Sequence, residues 1–186
     1  MIDWPRKATM ARRIINFALF QAGWFACVLG EVHSVRGIAL AATGAIICVN
    51  LLFSQDRCSD LLLVLTVSTI GLCVDTIQLY FGVIALTGAP RFPHLCPLLL
   101  VALWALLATT LRSSMSWLAG RYALAAVLGA VVGPLSYLGG AKLGAVTMHP
   151  NRVFSIAALG VAWAAVMPTL VWLAHGRGFC AREARG

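Results

Sequence analysis

The 186-residue chain is 61% hydrophobic and only 11% charged, and its mean hydropathy is +0.90, whereas a soluble domain is roughly half apolar and a quarter charged. Its formal net charge of +8 does not point to nucleic acid, because the basic residues sit at the ends of apolar runs and form no patch interleaved with aromatics. These figures exclude a water-soluble fold and leave an all-α polytopic transmembrane helix bundle, since the runs are too continuous for barrel strands and only helices or closed barrels satisfy their backbone in lipid.

At about 20 apolar residues per span, the chain accommodates about six spans. They form a single integral membrane domain over residues 1–186, with short basic tails at about 1–13 and 175–186. The first span is expected at 14–32. A basic start followed by an apolar run also describes a cleaved signal peptide, but Asn16 and Gln21 interrupt this run and no small-residue cleavage site follows. Nor does Trp24-Phe25-Ala26 before Cys27 suit a lipoprotein signal, so the segment is read as a retained span. Further spans are expected at 37–53, 61–86, 95–118, 122–146 and 153–174, separated by breakers such as Thr87-Gly88-Ala89-Pro90-Arg91 and His149-Pro150-Asn151-Arg152. Trp4, Trp117 and Trp172 fall near span ends, where indoles sit well at the headgroup boundary.

An alternating six-span arrangement puts Arg6, Lys7, Arg12, Arg13, Arg57, Arg112, Arg121, Arg177, Arg182 and Arg185 on one side and only Arg36, Arg91, Lys142 and Arg152 on the other. The positive-inside rule then places both termini in the cytoplasm. Cys27, Cys48, Cys58, Cys73, Cys96 and Cys180 occur singly, with no Cys-x-x-Cys pair, and are read as small packing residues. His33, His94, His149 and His175 lie near span ends without ligand spacing, so no metal site is expected. The chain carries no nucleotide-binding fingerprint or nucleophile elbow, and no cofactor is expected.

Chemistry is sought in polar residues within the spans. In the first, Asn16, Phe20, Gly23, Trp24, Cys27 and Glu31 share one side, with Gln21 on the flank. In the third, Ser68, Gly71, Asp75, Gln78 and Gly82 occupy one arc of an otherwise aliphatic helix. Asp75 stands out, because a carboxylate at bilayer depth costs about 2.5–3.5 kcal/mol and seldom faces lipid. With the span ending near Ile84, it would lie roughly 13 Å below the outer end, with Gln78 placed to share its hydrogen bonds. An interhelical hydrogen bond holding the bundle together is the plain alternative.

In the fifth span Gly129, Gly133, Tyr137, Gly140 and Gly144 form one face that permits close helix packing, and Pro134 should kink the helix near Ser136 and Gly139-Gly140. Lys142 either snorkels outward or, if the helix unwinds at Gly139-Gly140, joins Glu31, Asp75 and Tyr137 in an outward-opening polar pocket. Asp75, Glu31, Tyr137 and Lys142 are thus the candidate acid, base or catalytic groups, and Asn16, Gln21, Trp24, Gln78 and Ser136 the candidate ligand-binding residues. Arg112 lies near an inner span end and is expected to anchor at headgroups or pair with Asp60.

Two stretches, Asn16-Phe17 with Phe20-Gln21-Ala22-Gly23-Trp24-Phe25-Ala26-Cys27-Val28-Leu29-Gly30, and Gly133-Pro134-Leu135-Ser136-Tyr137-Leu138-Gly139-Gly140-Ala141-Lys142-Leu143-Gly144-Ala145, carry a resemblance. The chain resembles the bacterial inner-membrane family catalogued as domain of unknown function 2878, over nearly its whole length. Asp75 and the Trp104 and Trp117 region fall where the family's middle features are expected. The resemblance implies a multi-pass inner-membrane location and a gene often lying near those for enzymes that modify membrane fatty acyl chains, and it brings no defined activity.

The leading expectation is a component of membrane lipid or fatty-acyl modification, with the bilayer as its surroundings and a lipid as substrate. A small proton-coupled transporter using Asp75, or a non-catalytic structural subunit, is the alternative. A homo-oligomer or a neighbouring membrane enzyme is the expected protein partner, and nucleic acid is not.

Overall fold

The computed structural model describes residues 6–87 and 94–176, with side chains from residue 10 onward. Trp4, Arg91, Cys180, Arg177, Arg182 and Arg185 lie outside the described residues, as do the side chains of Arg6 and Lys7. Among the described residues six α-helices follow one another: α1 (Arg6–Val32), α2 (Arg36–Leu52), α3 (Arg57–Tyr80), α4 (Leu98–Leu111), α5 (Tyr122–Leu143) and α6 (Arg152–His175). The fold is an all-α bundle, and α1, α3, α5 and α6 are long and apolar enough to cross a membrane. At 1.5 Å per residue the 17 residues of α2 and 14 of α4 reach about 25 and 21 Å, short of a hydrocarbon core about 30 Å thick.

The helices run alternately up and down. At one end Arg12, early in α1, donates to Phe53 O after α2, and Arg112 after α4 bonds both Asp60 of α3 (2.9 Å) and Ala174 O of α6 (2.7 Å). This arginine end carries the expected Arg112–Asp60 pair. The other end is closed by an unexpected pair of short strands. β1 (Ile84–Leu86) pairs antiparallel with β2 (Val146–Met148), in the register Ile84 to Met148 and Leu86 to Val146.

The expected third and fifth spans are therefore too long. Hydropathy does not distinguish a helical Ile or Val from one in a strand. The stop signals are Gly82 (φ +65°) and Gly144 (φ +90°), whose left-handed backbone ends each helix at little cost. Ala145 N bonds back to Gly140 O at 2.9 Å, closing the last turn of α5. Gly144 is thus a helix terminator and not a rung of the α5 packing face. The fourth expected span also shortens at both ends. Pro97 caps α4 at its start, and the chain leaves the helix after Leu111 through serine-rich turns.

α5 lies against α6, α3 against α4, and α1 against α2 and α4, while α1 and α5 barely touch. The main core, which includes Leu63, Val67, Leu111, Leu118 and Leu170, fills the arginine end. A second cluster with Leu79, Ile84, Cys96 and Leu159 lies under the strands. Cys27 and Cys96 are buried as expected of packing residues, but Cys48, Cys58 and Cys73 are exposed on the outside of the bundle. In a membrane protein that outside surface meets lipid, where a thiol is as acceptable as in a core.

Candidate functional site

Asp75 is completely buried, and both its oxygens are occupied. The Tyr137 hydroxyl of α5 donates to Oδ1, and the Trp104 indole of α4 donates to Oδ2 at 2.7 Å. The Cys96 thiol approaches Oδ2 at 4.0 Å. One carboxylate from α3 thus gathers α4 and α5, through donors strengthened by an apolar, low-dielectric setting. The Trp104 ring lies parallel to Trp163 of α6, with centroids 4.7 Å apart, and Trp163 meets Tyr137 edge-on at 6.5 Å.

Glycines make room for this aromatic stack. A methyl group at Gly71 would fall 2.0 Å from Trp104 Cγ, and one at Gly133 2.2 Å from Trp163 Cγ. Gly129 serves the close helix approach expected of this face, since a methyl there would meet Trp163 O at 2.3 Å.

The cluster forms one wall of a cavity of about 460 Å³, lined chiefly by α1, α4, α5 and α6, with Asp75 of α3 and Leu86 and Val146 of the strands. Phe20, Trp24 and Cys27 contribute from α1, Leu103 and Leu107 from α4, and Met167 from α6. Among the described residues its charged lining groups are Glu31 and Asp75, with no Lys or Arg. Trp24 donates to Ser136 Oγ at 3.0 Å, bridging the gap between α1 and α5. The helix passes through Pro134 to Leu143 without unwinding at Gly139-Gly140.

The candidate residues separate accordingly. Asp75, Tyr137, Trp24, Ser136 and Glu31 all border the cavity. Glu31, however, is held at the strand end by Arg36 in a two-pronged pair of 2.5 and 2.8 Å. Lys142 is exposed and does not join them, because the unbroken helix turns its side chain outward. Gln21 is likewise exposed. Gln78 is buried, yet neither of its side-chain polar atoms has a hydrogen-bond partner among the described residues, so it does not share the bonds of Asp75. Since α3 stops at Tyr80, Asp75 lies only about 8 Å from its helix end, closer than a span reaching Ile84 would put it.

Asn16 is a buried fastener outside the cavity. Its amide donates to Asn50 Oδ1 (2.7 Å) and Thr109 O (3.2 Å), and its oxygen accepts from Ser114 Oγ (2.8 Å). Reading polar residues alone overlooked the roles of Trp104, Trp163 and Cys96. The available signal was an indole in mid-span, away from the headgroup level, whose N–H needs an acceptor.

Residues 13–169 match the family described as protein of unknown function (DUF2878). The chain belongs to the DUF2878 family. No curated protein and no solved structure matches it. For this DUF2878 protein the two stretches that carried the resemblance now have physical roles. The first lines α1's side of the cavity with Phe20, Trp24 and Cys27, and the second supplies Gly133, Ser136 and Tyr137 opposite.

Proposed function

We propose that this DUF2878 protein is a six-span bacterial inner-membrane protein with both termini in the cytoplasm, which binds a hydrocarbon chain and takes part in modifying membrane lipids or their fatty acyl chains. The observation carrying this reading is the cavity itself: set between α1, α5 and α6, which are long and apolar enough to cross a membrane, almost wholly apolar, and bordered by one buried carboxylate with its phenol and indole. Apolar pockets with a few convergent polar groups are the usual form of a small-molecule site. The apolar length would hold the chain by burial, at about 25 cal/mol per Å² of surface covered. The Asp75–Tyr137–Trp104 group would orient whatever polar or unsaturated part of the chain reaches it.

Asp75 is fully buried and both its oxygens are engaged. That arrangement suits a fixed wall of a binding site better than a carboxylate exchanging protons with water, so the geometry favours lipid chemistry over proton-coupled transport.

Whole-lipid mass spectrometry tests the proposal in cells lacking the protein, cells restored with it, and cells restored with Asp75→Asn or Tyr137→Phe at matched abundance. A lipid species lost in the deletion, regained with the wild type and depleted in both variants is the expected result. Identical lipids in all strains across growth conditions would overturn it. Normal product from both variants would reduce the cluster to packing.

A further inference from the structure

We infer that the occupant of the cavity is a single acyl chain of an intact phospholipid, which enters sideways from the bilayer between α1 and α5 while its headgroup remains outside. This deepens the lipid-modification reading and rests on it for the consequence of binding, though not for the binding itself.

Three observations point to this occupant. The first is where the cavity opens. Phe17 on α1 and Val132 on α5 both line it, yet are 53% and 56% exposed, and the two helices barely touch. Residues that are at once cavity wall and outer surface mark an opening, and on the flank of two long apolar helices that opening faces lipid tails, not water. The Trp24–Ser136 bond crosses the gap about 10–12 Å from the strand end, counting along α1 and α5. The slot bounded by Phe17, Phe20, Leu128 and Val132 lies on the arginine-end side of this crossbar.

The second observation is shape. The lining on α1 runs from Phe17 to Glu31, about 21 Å of helix. A volume of about 460 Å³ spread along that length describes an elongated space, which suits an extended hydrocarbon chain lying along the helices.

The third is charge. With Glu31 and Asp75 as the charged lining groups among the described residues and no Lys or Arg among these, the described lining offers an anionic head no counter-ion, and burying an unpaired phosphate or carboxylate costs several kcal/mol. Any lipid whose head stays at the interface avoids that cost, and phospholipids, which make up the bilayer, present most of the tails at the slot. A phospholipid keeps its phosphate at the interface and inserts only a tail.

The test uses purified full-length protein in lipid nanodiscs containing either a phosphatidylethanolamine with a diazirine midway along one acyl chain or free palmitic acid with the same diazirine. After irradiation, labelled peptides are mapped by mass spectrometry. The phospholipid probe is expected to label Phe17, Phe20, Leu128 and Val132 several-fold more than outward-facing Leu135, and the free acid at equal mole fraction to label the slot no more than the phospholipid does. Val132→Trp, which plugs the slot from an exposed position, should cause a several-fold loss of slot labelling, whereas neighbouring Val131→Trp, outside the cavity, should not.

Labelling spread evenly over all lipid-facing residues, a slot filled preferentially by the free acid, or equal labelling in the two tryptophan variants would each overturn the inference. The wild-type map holds whether or not a variant folds. Because labelling needs no product, slot labelling with an unchanged lipidome would leave this inference standing and remove the lipid-modification reading. A changed lipidome without slot labelling would do the reverse.

Discussion

At the scale of single residues, the economy of Asp75 governs the site. A buried carboxylate persists only when its lone pairs are taken up, and here Tyr137 and Trp104 do so from two other helices. Asp75→Leu removes the acceptor and leaves a buried phenol and a buried indole N–H unpaired, at about 1–3 kcal/mol each. Combined with Tyr137→Phe, the loss should be smaller than the sum of the single losses, with a coupling energy on the order of 0.5–3 kcal/mol. Reversible unfolding in mixed micelles measures all four corners of that cycle. Additivity within about 0.5 kcal/mol would mean that the two side chains act independently. Glu31, by contrast, is neutralised locally by Arg36, a pair requiring only a neighbouring turn.

At the scale of elements, α3 and α5 each present a glycine to an indole from the helix packed against it: Gly71 to Trp104 and Gly133 to Trp163. Gly71→Ala and Gly133→Ala should each cost about 1–3 kcal/mol through overpacking, because the rings are fixed by the Asp75 bond and by their own stacking. Gly44 in α2 has open space around its missing side chain, and Gly44→Ala should be neutral or stabilising by about 0.5–1 kcal/mol. Thermal unfolding in detergent compares the three, and equal effects would show that the glycines are interchangeable helix residues. Asn16 acts at the same scale, tying α1 to α2, α4 and the turn after α4. Its polarity was legible in the chain; its partners were not, since they lie 34 to 98 residues away.

At the scale of the whole molecule, the arginine end and the strand end should face opposite sides of the membrane. In a background with Cys48, Cys58, Cys73 and Cys180 replaced by alanine, Thr147→Cys at the strand end should react with a membrane-impermeant maleimide in intact spheroplasts. Ala119→Cys at the arginine end should react only after permeabilisation. The opposite pattern would invert the orientation, and labelling of both from outside would sink the alternating six-span arrangement.

The chain alone determined the helical membrane class, its approximate helix count and the singular status of Asp75, because continuous apolar runs and an isolated acid within one are local properties of the sequence. It also determined that Asp75, Gly71 and Gln78 share a helix face, since helical periodicity fixes angular position along one element. Only the tertiary structure decided which donors meet Asp75, that Lys142 and Gln21 turn away, and that residues 84–86 and 146–148 pair as strands. Those outcomes depend on contacts between segments distant in sequence, where partner, direction and distance are set by packing and have no local signature.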